Sequence, residues 1–417
     1  MHIHGGIIMN NIILSAPLTH SDWYLKTNGP EWGTEGIRTM LTRCKEFGFS
    51  RIYWRVYDSG KATYASKLVE PFRADEHEEI WQYSPGYIDL PPEETMKRFM
   101  QLDYTNFDSL SAAIEIGHEI GLEIFAWMSI NEDDHGIGFT SKFTRENPQY
   151  RWICRDGRSY HSQLSYAFSE VREYKLALIR EMLAYDIDGL FIDWIRTGDI
   201  RDNPQSDVDG VADYGYEKPN IEAFIQEFGI DPRCVPNNDE RWIHCRAKPI
   251  TEFMRQARAL TKSHSKKLRL ITMVHHPWSY RGVMPEMINE DTPQWVRNMS
   301  GNRVDGALNG LLCDIKTWSK ENLMDDVIAA GYYIKGGNAL LACEYLKKET
   351  EGKTPIMVYG WVPTTPEAFY KDVEIAQQVG TNEILYWEAD YIDNSGADFR
   401  ASHFSRCVSS QAPNTTQ

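Results

Sequence analysis

The stretch DGLFIDWIRT, Asp188 to Thr197, ends an apolar run on a carboxylate and follows it at once with Trp194 and Arg196. An ionised acid beside buried apolar residues is costly unless it is paired or solvated. Asp193 is therefore either a salt-bridged strand cap or an acid at the mouth of a cleft, where burial and neighbouring charge tune it for proton transfer. Arg196 or Arg55 could hold it ionised. Three other acids stand just beyond apolar runs: Glu132 in SINEDDHG, Asp314 in LLCDIKTW and Glu388 in ILYWEAD. Cleavage of a glycosidic bond takes two carboxyl groups, one donating a proton and one acting as nucleophile or base. Asp193 leads this set, with Asp314 as the first choice of partner and Glu132 and Glu388 competing with it. A solvated acidic loop is the alternative for NEDDHG.

Around these acids lie residues that suit a sugar. Trp127, Trp194, Trp278, Trp318, Trp361 and Trp387 each fall at or near the end of an apolar run. Any one of them alone reads as a core residue. Together they could offer flat apolar faces to sugar rings, while polar side chains bond the ring edges. The polar set comprises Arg55, Asp58, Asn131, His135, Arg196, His275 and His276. In the pair His275–His276 one imidazole could bind a hydroxyl while the other packs, and a wholly structural pair is the alternative.

What must position these residues is a series of short β-rich runs alternating with helical patterns. The runs are Asn11–Pro17, Arg51–Gly60, Leu122–Gly136, Asp188–Thr197, Leu268–Trp278, Asp305–Trp318, Thr354–Pro363 and Glu383–Asp393. Continuously apolar strands are buried on both faces, and β–α alternation implies parallel strands with right-handed crossovers. Eight such units predict an α/β fold, a closed (β/α)8 TIM barrel forming one domain over 1–417. No G-x-G-x-x-G follows the first run, which argues against an open dinucleotide-binding sheet. Long insertions are expected after strands two and four, at about 61–104 and 198–250. Functional residues of such barrels gather at the C-terminal ends of the strands, which is where the acids and tryptophans fall.

Charge and motifs exclude several classes. Lys and Arg number 44 against 60 Asp and Glu, a formal net charge of −16 that disfavours nucleic acid and anionic membranes as partners. No apolar run approaches the ~20 residues that span a bilayer. The seven cysteines are odd in number and lack any C-x-x-C pair, so neither disulfides nor a zinc knuckle are expected. With no signal-peptide pattern at the start, the expectation is a cytoplasmic protein. The HIH at positions 2–4 mimics an H-x-H metal motif, but no strand precedes it. H-E-x-x-H, EF-hand and G-x-S-x-G patterns are absent, so no metal or cofactor is expected.

Three segments carry a family resemblance: HEIGLEIFAW (His118–Trp127), ENPQYRW (Glu146–Trp152) and SEVREYKLALIREMLAYDIDGLFIDWIR (Ser169–Arg196). AFIQEFGIDP (Ala223–Pro232) and DERWIHCR (Asp239–Arg246) extend it. The chain resembles glycosyl hydrolase-like family ten, bacterial barrels classed with the glycoside hydrolases, over roughly Asn11 to Trp278. The resemblance implies a TIM barrel, a glycan substrate, Asp193 at the family's acidic position after strand four, and Arg196 at its basic one. Where the family usually has a second acid or Asn, this chain has Trp194. The expected function is thus hydrolysis of an oligo- or polysaccharide. Its alternatives are a non-catalytic carbohydrate-binding barrel and, third, a metal-dependent hydrolase.

Overall fold

A computed structural model describes residues 12–26, 29–58, 60–73, 97–131, 133, 141–193, 195, 214–275, 312–330 and 338–394, with only the backbone of Asp58, residues 160–163, His275, Asn338 and Asn394. Eight parallel strands close on themselves. They are β1 (Ile13–Leu18), β2 (Arg51–Asp58), β3 (Glu123–Ser129), β4 (Gly189–Asp193), β5 (Arg269–His275), β6 (Asp326–Ala330), β7 (Ile356–Trp361) and β8 (Glu383–Trp387). Each pairs with its sequence neighbours, and β1 closes the barrel by pairing with both β2 and β8, Ser15 lying beside Arg51 and Leu385. In β4 and β6 every residue is buried, and β4 accordingly reads as an unbroken apolar run.

Alternation along the strands fills the interior. Phe125 and Trp127, Ile271 and Met273, Ile328 and Ala330, Met357 and Tyr359, Leu385 and Trp387 pack there with Tyr53 and Phe191. Strand residues facing outward join a larger core beneath the helices α1 (Thr34–Phe47), α2 (Ser109–Glu119), α3 (Ser169–Met182), α4 (Glu240–Ser263), α5 (Ile315–Lys320), α6 (Asn338–Glu349) and α7 (Pro366–Val379). At the N-terminal end of the barrel, Arg51 bonds Glu123 at 2.7 Å and Glu383 at 2.9 Å. Arg269 bonds Asp326 at 2.6 Å and Glu383 at 3.0 Å. This ring of charge ties strands β2, β3, β5, β6 and β8 together at the base.

The sixth strand differs from the sequence expectation. Asp305–Trp318 was the expected run, of which residues 305–311 lie outside the described residues, whereas the strand that pairs between β5 and β7 is the five-residue DVIAA of Asp326–Ala330. Leu312, Ile315 and Trp318 are all buried at a spacing of three, a helical period that marks the approach to α5 and not a strand.

Long connections rise from the C-terminal ends of β2 and β4, as expected, and a third follows β3. After β2 the chain turns back at Gly60 (φ 74°) into a short strand, Lys61–Ala62, antiparallel to β2. A Cβ at Gly60 would stand 2.4 Å from the Asp133 carbonyl and 2.5 Å from the Ser141 amide, so this crossing requires glycine. After β3 comes a hairpin, Arg151–Ile153 with Ser159–Leu164. The β4 connection docks on it: the amides of Gly215 and Tyr216 donate to the Ile153 carbonyl, and the Ile153 amide donates to the buried Glu217 carboxyl at 2.5 Å. The connection then forms a helix, Lys218–Phe228, and ends at Glu240, where α4 begins.

Candidate active site

Asp193 is the last residue of β4. Phe191, two residues earlier, points into the barrel, and the same alternation turns Asp193 inward at the mouth. It is fully buried and accepts a hydrogen bond from the Trp127 indole Nε1–H at 3.1 Å. Trp127 is inward-facing on the neighbouring β3, where Ser129 lies in register with Asp193. Its ring stacks on Phe191 at 5.9 Å and meets Trp387 of β8 edge-on at 5.3 Å. The Arg55 guanidinium, from β2, lies 4.8 Å from the Trp127 ring centroid, an attraction between cation and π face.

Glu388 stands directly after β8. Burial raises its carboxyl well above the usual carboxylate range, and the negative charges of Asp22 and Asp390 push it further. Arg55 and Lys26 oppose that rise without cancelling it. Lys26 is itself held in an ion pair by Asp390, and its ammonium lies 4.4 Å over the Tyr391 ring. Burial and the same three acids, Glu388, Asp390 and Asp22, also raise the Tyr391 hydroxyl. Glu388 is thus a carboxyl that keeps its proton to a higher pH than an ordinary glutamic acid.

Strands β4 and β8 stand on opposite sides of the barrel, with three strands between them in either direction. Asp193 and Glu388 therefore stand at the ends of opposite walls, and Arg55, which lies over the Trp127 ring and acts on the Glu388 carboxyl, links the two sides. One acid is oriented by an indole N–H, and the other holds its proton to higher pH than an ordinary carboxyl. Such a pair can give a proton to a leaving group on one side and present a carboxylate on the other.

The remaining expected site residues divide. Asn131 is buried just past β3, Trp387 is buried in the mouth, and Trp361 ends β7 with 47% of its surface exposed. Asp58 and His275 end β2 and β5, as expected, by their backbones. Glu132, His135, Trp194, Arg196, His276 and Trp278 lie outside the described residues. Asp314 is corrected. It belongs to no strand but is the N-cap of α5, where its side chain accepts from the Thr317 amide at 3.0 Å. Trp318 is likewise not at the rim: it is buried, its indole N–H donating to Thr251 at 2.9 Å.

Within NEDDHG, Asp133 is no solvated loop residue. It is fully buried, ion-paired with Lys175 of α3, and accepts from the Tyr57 hydroxyl at 2.7 Å. This knot fastens the β3 connection to the barrel wall. Sequence reasoning missed Asp22 and Lys26, which belong to the short helix His20–Leu25 after β1 and its C-cap. No apolar run ends on either, so nothing at the level of pattern marks them. Tyr359, an inward residue of β7 next to Trp387 at 5.9 Å, was hidden in the same way inside a strand. Among the described residues, no three His, Cys, Asp or Glu side chains converge as a metal site.

Comparison with solved structures places the chain beside barrel enzymes. The catalytic domain of β-amylase from Paenibacillus polymyxa superposes with a TM-score of 0.56 at 10% identity, covering 96% of this chain and 98% of that one. The β-galactosidase from Bacillus circulans sp. alkalophilus gives 0.52 at 10% identity, covering 91% of this chain and 51% of the other. The β-galactosidase from the psychrophilic Marinomonas ef1 gives 0.50 at 11% identity, covering 90% and 54%. Identities this low speak to the shared fold. No curated protein matches the sequence. The sequence pattern described as glycosyl hydrolase-like 10 matches residues 89–359, starting later than the resemblance noted from the sequence and running on through β6 into β7. That match spans more than half of the 417 residues, and the chain belongs to the glycosyl hydrolase-like 10 family.

Proposed function

We propose that the protein is a glycoside hydrolase in which Glu388 is the general acid and Asp193 the nucleophile or base. The observation that carries this reading is the pairing of unlike carboxyls on opposite walls of the barrel mouth. Glu388, whose affinity for its proton is raised by burial and by Asp22 and Asp390, gives that proton to the glycosidic oxygen as the C–O bond breaks. Asp193, oriented by Trp127, either bonds the anomeric carbon or takes a proton from the attacking water. In the first case water releases the sugar in a second step, with Glu388 accepting that water's proton. Membership of the glycosyl hydrolase-like 10 family supports the reaction class.

The test is a glycan panel with wild type, Asp193→Asn and Glu388→Gln. Asp193→Asn is expected to lose activity on every substrate, by about 10²-fold or more. Glu388→Gln is expected to lose it on natural glycans but to keep it on dinitrophenyl glycosides, whose leaving group needs no proton. Full activity of Asp193→Asn would sink the assignment. The complete burial of Asp193 favours one second reading, a barrel that binds glycans without cleaving them. Tight binding with no product after prolonged incubation would select it.

A further inference from the structure

We infer that Trp361 and Tyr391 form an outer subsite that binds an uncharged sugar ring of a longer glycan chain, an inference that rests on the glycan reading of the mouth. Exposed large apolar side chains are few among the described residues, and most are scattered aliphatic ones such as Leu68 and Ile225. The two aromatic exceptions touch each other. Trp361, 47% exposed, and Tyr391, 39% exposed, meet at 89° with ring centroids 5.8 Å apart. Trp361 ends β7 and Tyr391 lies in the turn of helix after β8, so both stand on the C-terminal rim.

This corner is the outer end of a continuous file of rings. Trp127, bonded to Asp193, meets Trp387 at 5.3 Å; Trp387 meets Tyr359 at 5.9 Å; Tyr359 meets Trp361 at 6.3 Å. The inner three are buried and the outer pair is open. A glycan seated at Asp193 and Glu388 has its next units led outward along that file. Tyr359 and Tyr391 both meet Trp361 at near right angles, so neither lies flat against the indole as a pyranose face would. Lys26 occupies one face of Tyr391 and anchors that ring, and its charge is in turn taken by Asp390.

Charge sets the class of sugar. Around this corner Asp22, Asp193 and Asp390 stand against Lys26 and Arg55, beside a Glu388 carboxyl that holds its proton to higher pH. The whole chain carries a formal −16. A polyuronate or sulfated chain meets repulsion both at a distance and at the rim, whereas a neutral chain does not.

The experiment measures binding, by quenching of tryptophan fluorescence and by affinity electrophoresis, and hydrolysis in parallel. Probes are neutral oligosaccharides of two to six units (gluco-, xylo-, manno- and galacto-configured), the corresponding neutral polymers, oligogalacturonate and alginate. Trp361→Ala and Tyr391→Ala are expected to weaken binding of chains of four units or more about tenfold. Binding of these chains should suffer more than that of an aryl monoglycoside, and Trp361→Phe should restore part of the loss. Ile225→Ala, which removes an equally exposed apolar side chain elsewhere, is the control and should change nothing. Wild-type affinity of Trp361→Ala for long neutral chains, or tighter binding of the uronates than of neutral chains, overturns the inference while leaving the hydrolase reading intact. Trp361-dependent binding without any turnover supports the inference and overturns hydrolysis. A wild type that binds no glycan at all overturns both.

Discussion

Burial, two negative groups and two positive ones decide whether Glu388 can act as an acid at neutral pH. Its carboxyl is raised first by burial and then by Asp22 and Asp390, and is pulled down by Arg55 and Lys26. The acid must be protonated to work, so activity falls as pH rises through this raised value. Replacing Asp22 by Asn removes one repulsion, lowers the carboxyl's affinity for its proton and moves the alkaline limb to lower pH. Replacing Lys26 by Met removes an attraction and leaves Asp390 uncompensated, so the limb moves to higher pH. Profiles of kcat/KM against pH for the three proteins give the result; shifts in the same direction, or none, would remove Glu388 from the role of acid. Asp193 and Glu388 were legible in the sequence because each stands directly beyond an apolar run. Asp22 and Lys26 were not, because they follow β1 in a short helix where no change of pattern marks them. Their influence on Glu388 exists only once β1 and β8 are neighbours.

At the scale of elements, the same local signal can mean a cap or a catalyst, and the two are separable by experiment. Asp314 follows apolar residues as Asp193 does, yet it closes the first turn of α5 through the Thr317 amide. Asp314→Ala is expected to cost about 1 kcal/mol of stability in urea unfolding and to leave kcat unchanged. Loss of kcat at unchanged stability would return Asp314 to the mouth. The spacing of Leu312, Ile315 and Trp318 could have shown this beforehand, had the segment been matched to a helical as well as a strand period. The connections after β3 and β4 were legible only as insertions. Their mutual docking depends on Glu217, a buried carboxyl that receives the Ile153 amide far away in sequence. Burial raises Glu217 from 4.5 to about 7, against the Ile153 amide, Ser165 and Arg246. The native state therefore binds this proton more tightly than the unfolded chain between pH 4.5 and about 7. The stability it contributes is fully present below pH 4.5 and declines by up to ~1.4 kcal/mol per unit as pH rises through that window. Thermal unfolding of wild type should thus lose stability from pH 5 to 8 more steeply than Glu217→Gln, and parallel curves would refute the coupling.

Over the whole molecule, the barrel separates what holds it shut from what faces the substrate. Seven of the eight strands were legible in place because doubly buried strands leave unbroken apolar runs, whereas the short DVIAA of β6 was passed over for the run before it. The base was not legible. Arg51, Glu123, Arg269, Asp326 and Glu383 all begin strands, but only the closed ring brings Glu383 of β8 within 2.9 Å of Arg51 and 3.0 Å of Arg269. Glu383 joins the two arginines, so its replacement by Gln leaves both beside each other with less negative charge between them. Burial of this network is partial, and solvent screening reduces its worth accordingly. Glu383→Gln is expected to lower the melting temperature by several degrees, a cost of about 1–3 kcal/mol. Because the network lies a full strand length below Asp193 and Glu388, kcat/KM at a temperature well below the transition should stay within about twofold of wild type. Differential scanning calorimetry alongside activity reads both quantities from one preparation. A Glu383→Gln protein that melts like wild type but loses activity would mean that the base is coupled to the mouth, and that the division of labour along the barrel axis does not hold.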